Sequence, residues 1–166
     1  MMPWIKPVKQ KDIKELDICN KKEGPLPLFD RMLANAPDLY EAFIPLQKAI
    51  VRTSISDDLR EAMITFVSMK NGCEFCTNSH KEALEGYIDQ LDVLNWLESY
   101  TENDMSEEWK AALRYAERLI TKPAEVTKED VKSLEACGYT TKEIAELNQI
   151  IAYTSYTNQL SIGLGL

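Results

Sequence analysis

Apolar residues recur at helical spacing almost everywhere from Phe29 onward. Leu59, Ala62, Met63, Phe66 and Val67 fall at i, i+3, i+4, i+7 and i+8, which is one buried stripe of a helix. Ser56 with Asp57 or Asp58 can cap its start, and Asn71-Gly72 supplies a left-handed stop. A second helix is expected to begin near Cys73 and run to Gly86. Upstream, Pro37 is placed to open a helix through Leu39, Phe43 and Leu46, which Pro45 should kink or shorten. Downstream, Ser106 can cap a helix carrying Trp109, Ala112, Leu113, Ala116 and Leu119 that ends before Pro123. Thr127 with Asp130 and Thr140 with Glu143 read as capping boxes. The first opens a helix ending at Cys137-Gly138. The second opens a last helix through Ile144, Leu147, Ile150, Ile151 and Leu160, almost to the C-terminus.

No stretch alternates apolar and polar residues over a strand's length, and no Asn-Gly turn joins β-rich runs. The pattern predicts an all-α, single-domain helical bundle of six to eight helices. Four of the seven prolines and a lysine-rich stretch from Lys9 to Lys14 fall within residues 1–28. Residues 1–24 therefore read as an N-terminal arm and 25–166 as the helical domain.

Composition narrows the function classes. The 166 residues are 45% apolar and 28% charged, an ordinary globular balance and one domain's length. Twenty-seven acidic residues against 19 basic ones leave a formal charge of −8, a surface that repels phosphate backbones and anionic lipid heads. Nucleic acid and membranes are thus poor partners, and no apolar run approaches the ~20 residues of a spanning helix. Lys6 and Lys9 near the start have no apolar stretch behind them, so no signal peptide is expected and the cytoplasm is the expected compartment.

The chemistry-bearing residues cluster. Of four cysteines, Cys73 and Cys76 form a C-x-x-C pair, and the chain's single histidine, His80, lies four residues beyond it. In a reducing compartment such a pair signals redox chemistry or a metal site, not a structural disulfide. Helical steps of three and four bring Cys73, Cys76 and His80 within roughly 60° of arc on one face. Cys76 and His80 are i, i+4 neighbours, so an imidazole nitrogen can reach the sulfur. Both cysteines fall at the helix start, where unpaired N–H groups favour a thiolate. Glu61, one antiparallel hairpin away, is placed to accept from the imidazole, giving a nucleophile–base–orienter arrangement. Cys76 is the expected nucleophile on the strength of its i+4 histidine, with Cys73 the rival as the more exposed thiol.

Two other readings compete. Cys73, Cys76, His80 and Glu61 could supply four zinc ligands, although structural zinc sites usually draw on two separated knuckles and no second C-x-x-C or H-x-x-H exists. The residues could also be core thiols and a core histidine with no role. Cys19 and Cys137 read as incidental, and Met63, Phe66 and Met69 as core. Tyr153, Tyr156 and Asn158 read as packing or interface residues, and the acidic run Glu98 to Glu108 as a solvated surface and helix start.

Glu61, eleven residues, Cys73-x-x-Cys76, three residues and His80 resemble the signature of the carboxymuconolactone decarboxylase and alkylhydroperoxidase D superfamily. Leu26-Pro-Leu-Phe29, Asp58-Leu-Arg-Glu61, Asn71-Gly-Cys-Glu-Phe-Cys76 and Ala152-Tyr-Thr-Ser-Tyr-Thr-Asn158 are similar to its peroxidase-related branch, so the resemblance covers roughly residues 25 to 166. It implies an all-helical fold, a reactive pair at Cys73 and Cys76 with a proton relay through His80 and Glu61, and assembly into dimers, trimers or hexamers. Alkylhydroperoxidase D proper has a second histidine between its cysteines where this chain has Phe75, and the branch commonly shows arginine where this chain has Gln159. Decarboxylase-type members generally lack the cysteine pair, so its presence argues against lactone chemistry. The expected function is a thiol-dependent, peroxidase-like oxidoreductase without a cofactor or metal, acting on a hydroperoxide and recharged by an external dithiol or protein reductant. The alternatives are a disulfide reductase or redox adaptor that never meets peroxide, and a non-enzymatic metal-binding or assembly module.

Overall fold

The computed structural model describes residues 3–13 and 25–166, so Cys19 and most of the expected arm lie outside the described residues. Among them every regular element is a helix: α1 (Gln10–Ile13), α2 (Leu28–Leu33), α3 (Pro37–Ile50), α4 (Asp57–Lys70), α5 (Glu74–Glu85), α6 (Val93–Glu98), α7 (Glu107–Ile120), α8 (Lys128–Ala136) and α9 (Thr141–Leu164). That is nine described helices against the six to eight expected. The excess comes from α1, α2 and α6, four to six residues long, too short for a periodic stripe to reveal.

The described chain separates into two compact units, one running up to Arg52 together with Leu160–Leu166, the other Thr53–Gln159. In the first, Pro37 opens α3 at its first helical turn, where a missing N–H costs nothing. The helix then continues five residues beyond Pro45 to Ile50, so Pro45 does not shorten it. The proline deletes one i→i−4 bond, and burial of Tyr40, Phe43, Ile44 and Ile50 offsets the loss. Tyr40 donates to the buried Asp30 carboxylate at 2.8 Å, and Phe29 meets Phe43 edge to face at 6.2 Å.

The second unit is built around α4. The expected single stripe understates its burial: Arg60, Ile64, Thr65 and Ser68 are buried as well as Leu59, Ala62, Met63, Phe66 and Val67. A helix covered nearly all round is the centre of its unit, and α5, α6 and α7 pack on it. Ser56 occupies the N-cap of α4 without a side-chain bond, and the Asp58 carboxylate takes the Leu59 N–H at 2.8 Å. Lys70 closes its far end between Glu98 at 2.9 Å and Glu117 at 3.3 Å, with its ammonium 5.2 Å from the centre of the Phe66 ring. Burial alone would lower the Lys70 pKa, but the two carboxylates outweigh it and raise it.

The local signals of the C-terminal half hold. Ser106 Oγ accepts from the Trp109 N–H at 3.3 Å. The Asp130 carboxylate accepts from the N–H and hydroxyl of Thr127 at 2.7 and 2.8 Å, and that of Glu143 does the same for Thr140 at 2.8 and 2.7 Å. The last helix, opened by Thr140, is 24 residues long. No helix among the described residues is long and apolar enough to cross a membrane.

Candidate functional site

The site grows from the turn between α4 and α5. Asn71 caps α4 and Gly72 follows with φ +72°, the left-handed conformation that reverses the chain without a Cβ penalty. Cys73 is then the N-cap of α5. Its N–H donates back to the Ser68 carbonyl at 3.0 Å, and its carbonyl accepts from Thr77 N–H at 2.9 Å. The Cys76 N–H points at Cys73 Sγ at 3.4 Å, so the first cysteine caps the helix that carries the second. The two sulfurs are joined as a disulfide across a Cα separation of 5.4 Å, inside the usual range for bridged cysteines.

Exposure of the two thiols reverses one expectation. Cys73 is 1% exposed and Cys76 8% exposed, so Cys76 is the more accessible. Cys73 is the N-cap, its sulfur engaged by the Cys76 N–H, whereas Cys76 stands on the first turn itself.

His80 Nδ1 lies 2.7 Å from Glu61 Oε2. A carboxylate can only accept, so the Nδ1 proton is held there and Nε2 is the ring nitrogen left for other work. His80 is one helical turn beyond Cys76, a spacing that puts the two Cβ atoms ~5–6 Å apart. The Glu61 side chain is 12% exposed and that of His80 37%, so the carboxylate is sheltered and the imidazole reaches solvent. The guanidinium of Arg60, itself buried, lies 3.9 Å from the other Glu61 oxygen and 2.8 Å from Asp57. The carboxylate therefore faces a cation on one side and the imidazole on the other. Among the described residues no three of His, Cys, Asp and Glu gather in a way that could hold a metal ion.

The structure thus groups these four residues as two pairs: Cys73 joined to Cys76 at the start of α5, and His80, one turn further along α5, held to Glu61 on α4. Cys137 stays apart as a free thiol at the C-cap of α8, its Sγ 3.7 Å from the Glu107 carbonyl. Met63 and Phe66 are fully buried core. Tyr156 is exposed, while Asn158 is 1% exposed and reaches the end of α4 just before the cysteine pair. Its Nδ2 donates to Ser68 Oγ at 3.0 Å and its Oδ1 accepts from Asn71 Nδ2 at 2.9 Å. Periodicity places Asn158 on α9 but carries no sign of this partner, 90 residues away. A cavity of about 550 Å³ lies beyond Asn71, lined also by Ile120, Asn148, Ile151, Ser155 and Gln159, and the four clustered residues are not part of its wall.

No family model matches the chain. It is 26% identical over 131 residues to the uncharacterized protein YdfG of Bacillus subtilis (strain 168), covering 78% of this chain and 89% of that one. In fold it is similar to the debrominase Bmp8, with a TM-score of 0.81 and 25% identity, over 97% of this chain and 89% of that one. It is also similar to an alkylhydroperoxidase AhpD core, a peroxidase-related protein from Ralstonia eutropha JMP134. There the TM-score is 0.83 at 22% identity, over 99% of this chain and 91% of that one.

Proposed function

The chain has the helical fold of the alkylhydroperoxidase D-like proteins, and from that premise we propose that it is a thiol-dependent peroxidase-like oxidoreductase. The observation that carries this reading is the cluster itself: a vicinal cysteine pair at a helix start, one turn from an imidazole whose other nitrogen is held by a sheltered carboxylate at 2.7 Å. The reduced pair begins the cycle. His80 Nε2 takes the Cys76 proton while Nδ1–H stays on Glu61, and the helix start stabilises the thiolate. The thiolate attacks the distal oxygen of a hydroperoxide and the O–O bond breaks. Cys76 becomes a sulfenic acid, and the alkoxide leaves as an alcohol with the proton from His80. The Cys73 thiol then displaces hydroxide from the sulfenic acid, which leaves as water, and the disulfide forms. An external dithiol returns the pair to two thiols and is itself oxidised.

The greater exposure of Cys76 and its i+4 histidine support it as the attacking sulfur, and the capping bond to Cys73 Sγ suits the resolving partner. Similarity to Bmp8 favours a second reading of the same pair. A vicinal dithiol can remove bromine reductively from an electron-rich ring: the C–Br bond becomes C–H, two thiols become a disulfide, and bromide and a proton leave. Stopped-flow mixing of the reduced protein with one equivalent of cumene hydroperoxide or of a bromopyrrole, followed by mass mapping of the cysteines, separates the two. Peroxide consumption matched by a Cys73–Cys76 disulfide supports the peroxidase. Oxidation only with bromide release replaces it with the second reading, and a disulfide formed only from a disulfide substrate makes the protein a redox adaptor.

A further inference from the structure

Ser68, Asn71 and Asn158 are polar groups that neither the relay nor the core explains. Ser68 is 0% exposed and Asn158 is 1% exposed, and a buried carboxamide is retained only where its bonds are made. Those of Asn158 both go to one short piece of chain. Nδ2 donates to Ser68 Oγ at 3.0 Å, and Oδ1 accepts from Asn71 Nδ2 at 2.9 Å. Asn71 Nδ2 also donates to Ser155 Oγ at 3.2 Å, one helical turn earlier on α9. Between Ser68 and Asn71 lies the last turn of α4, and the Ser68 carbonyl receives the Cys73 N–H at 3.0 Å. The segment from Ser68 to Asn71 is therefore held at both ends by one amide of α9, and Cys73, just past left-handed Gly72, is tied to it through the Ser68 carbonyl.

We infer that Asn158 is a positioning residue of the redox pair: by clamping the Ser68–Asn71 turn it holds Cys73 where its sulfur closes on Cys76. The inference rests on the redox cycling proposed above. A resolving thiol held in bonding geometry has a high effective concentration toward its partner, which favours the disulfide over the dithiol. Without the clamp, the turn keeps its backbone bonds and the Asn71–Ser155 contact at 3.2 Å, Cys73 samples more positions, and the closed form loses its advantage.

The test is the thiol–disulfide equilibrium of the purified full-length protein against glutathione, in which the protein dithiol plus oxidised glutathione gives the protein disulfide plus two reduced glutathiones. Wild type, Asn158→Ala, Ser68→Ala and Thr154→Ala are compared, with thermal unfolding of each. Thr154 is the control: it is as buried as Asn158 on the same helix, but among the described residues its hydroxyl bonds to the Ile150 carbonyl of that helix, at 2.7 Å, and not to the turn. The expected result for Asn158→Ala is a shift of about tenfold toward the dithiol, about 30 mV for a two-electron couple. Ser68→Ala, which deletes one of the two clamp bonds, should shift the same way by less and carries the test should Asn158→Ala not fold. Thr154→Ala should lose stability with its equilibrium within twofold of wild type. If the clamp variants match wild type, or the control shifts as far as they do, the positioning role is wrong. A wild-type protein that does not pass between dithiol and disulfide overturns the redox reading itself, and the inference with it.

Discussion

Replacing His80 by alanine tests the relay most directly. The imidazole holds Glu61 at 2.7 Å on one nitrogen and lies one helical turn along α5 from Cys76, so the substitution removes the base the proposed relay depends on. An unassisted thiol with a pKa of about 8.5 is roughly 3% ionised at pH 7. Loss of thiolate population alone therefore predicts about a thirtyfold slower attack. Loss of proton delivery to the leaving alkoxide brings the total to about 10²–10⁴. The two parts separate with pH. Between pH 7 and about 8.5 the variant's rate should climb about tenfold per unit as hydroxide makes the thiolate, then flatten with only the proton-delivery deficit left. Glu61→Gln keeps the base and a group able to accept from Nδ1–H, so its loss should be smaller, and Cys76→Ser should be inactive. Peroxide consumption and thiolate absorbance at 240 nm, both followed against pH, provide the assay. An unchanged thiol pKa in His80→Ala would refute the relay, and loss of bound metal together with stability, without rescue by pH, would revive a metal site.

Mild oxidation should join Cys73 to Cys76 and leave Cys137 and Cys19 free; peptide mapping with either of the latter as the main oxidised partner would contradict the redox pair. Gly72→Ala meets no atom within 4 Å but must adopt φ +72°, so it should cost about 1–2 kcal/mol by denaturant midpoint without any packing defect. Burial alone would raise the Asp130 pKa, but the Thr127 hydroxyl and N–H together with Arg118 outweigh it and hold it below the usual range. Its contribution is therefore complete above the unfolded value near 4 and lost as pH falls through the lower folded value. Asp130→Asn should thus destabilise by about 1 kcal/mol at pH 7, and urea titrations should show that difference shrinking below pH 4. Leu39 and Leu46, one heptad apart on α3, are 72% and 43% exposed; light scattering should give at least a dimer, and a mass of one 19.0 kDa chain at micromolar concentration would refute assembly.

What could be read from the sequence alone are events that begin and end within about four residues. The boxes at Thr127 and Thr140, the Ser106 cap, the Asn71-Gly72 stop and the C-x-x-C-x-x-x-His face each depend on a side chain and a backbone group of the same turn, so spacing suffices. Glu61 was within reach for a related reason: a helix, a tight turn and a helix leave little freedom in which residues face one another. Tertiary structure decided whatever depends on the neighbours of a surface. It covers α4 nearly all round, where its sequence shows one stripe, and lets α3 run past Pro45 because burial outweighs one missing bond. It makes Cys76 and not Cys73 the more open thiol, because accessibility belongs to the packed site and not to the residue. It also aims Asn158 at Ser68 and Asn71 across 90 and 87 positions. A carboxamide on a helix face looks the same in sequence whether it meets water or a turn. Only packing of the rest of the chain determines which, and here packing makes that amide a partner of the turn that leads into the cysteine pair.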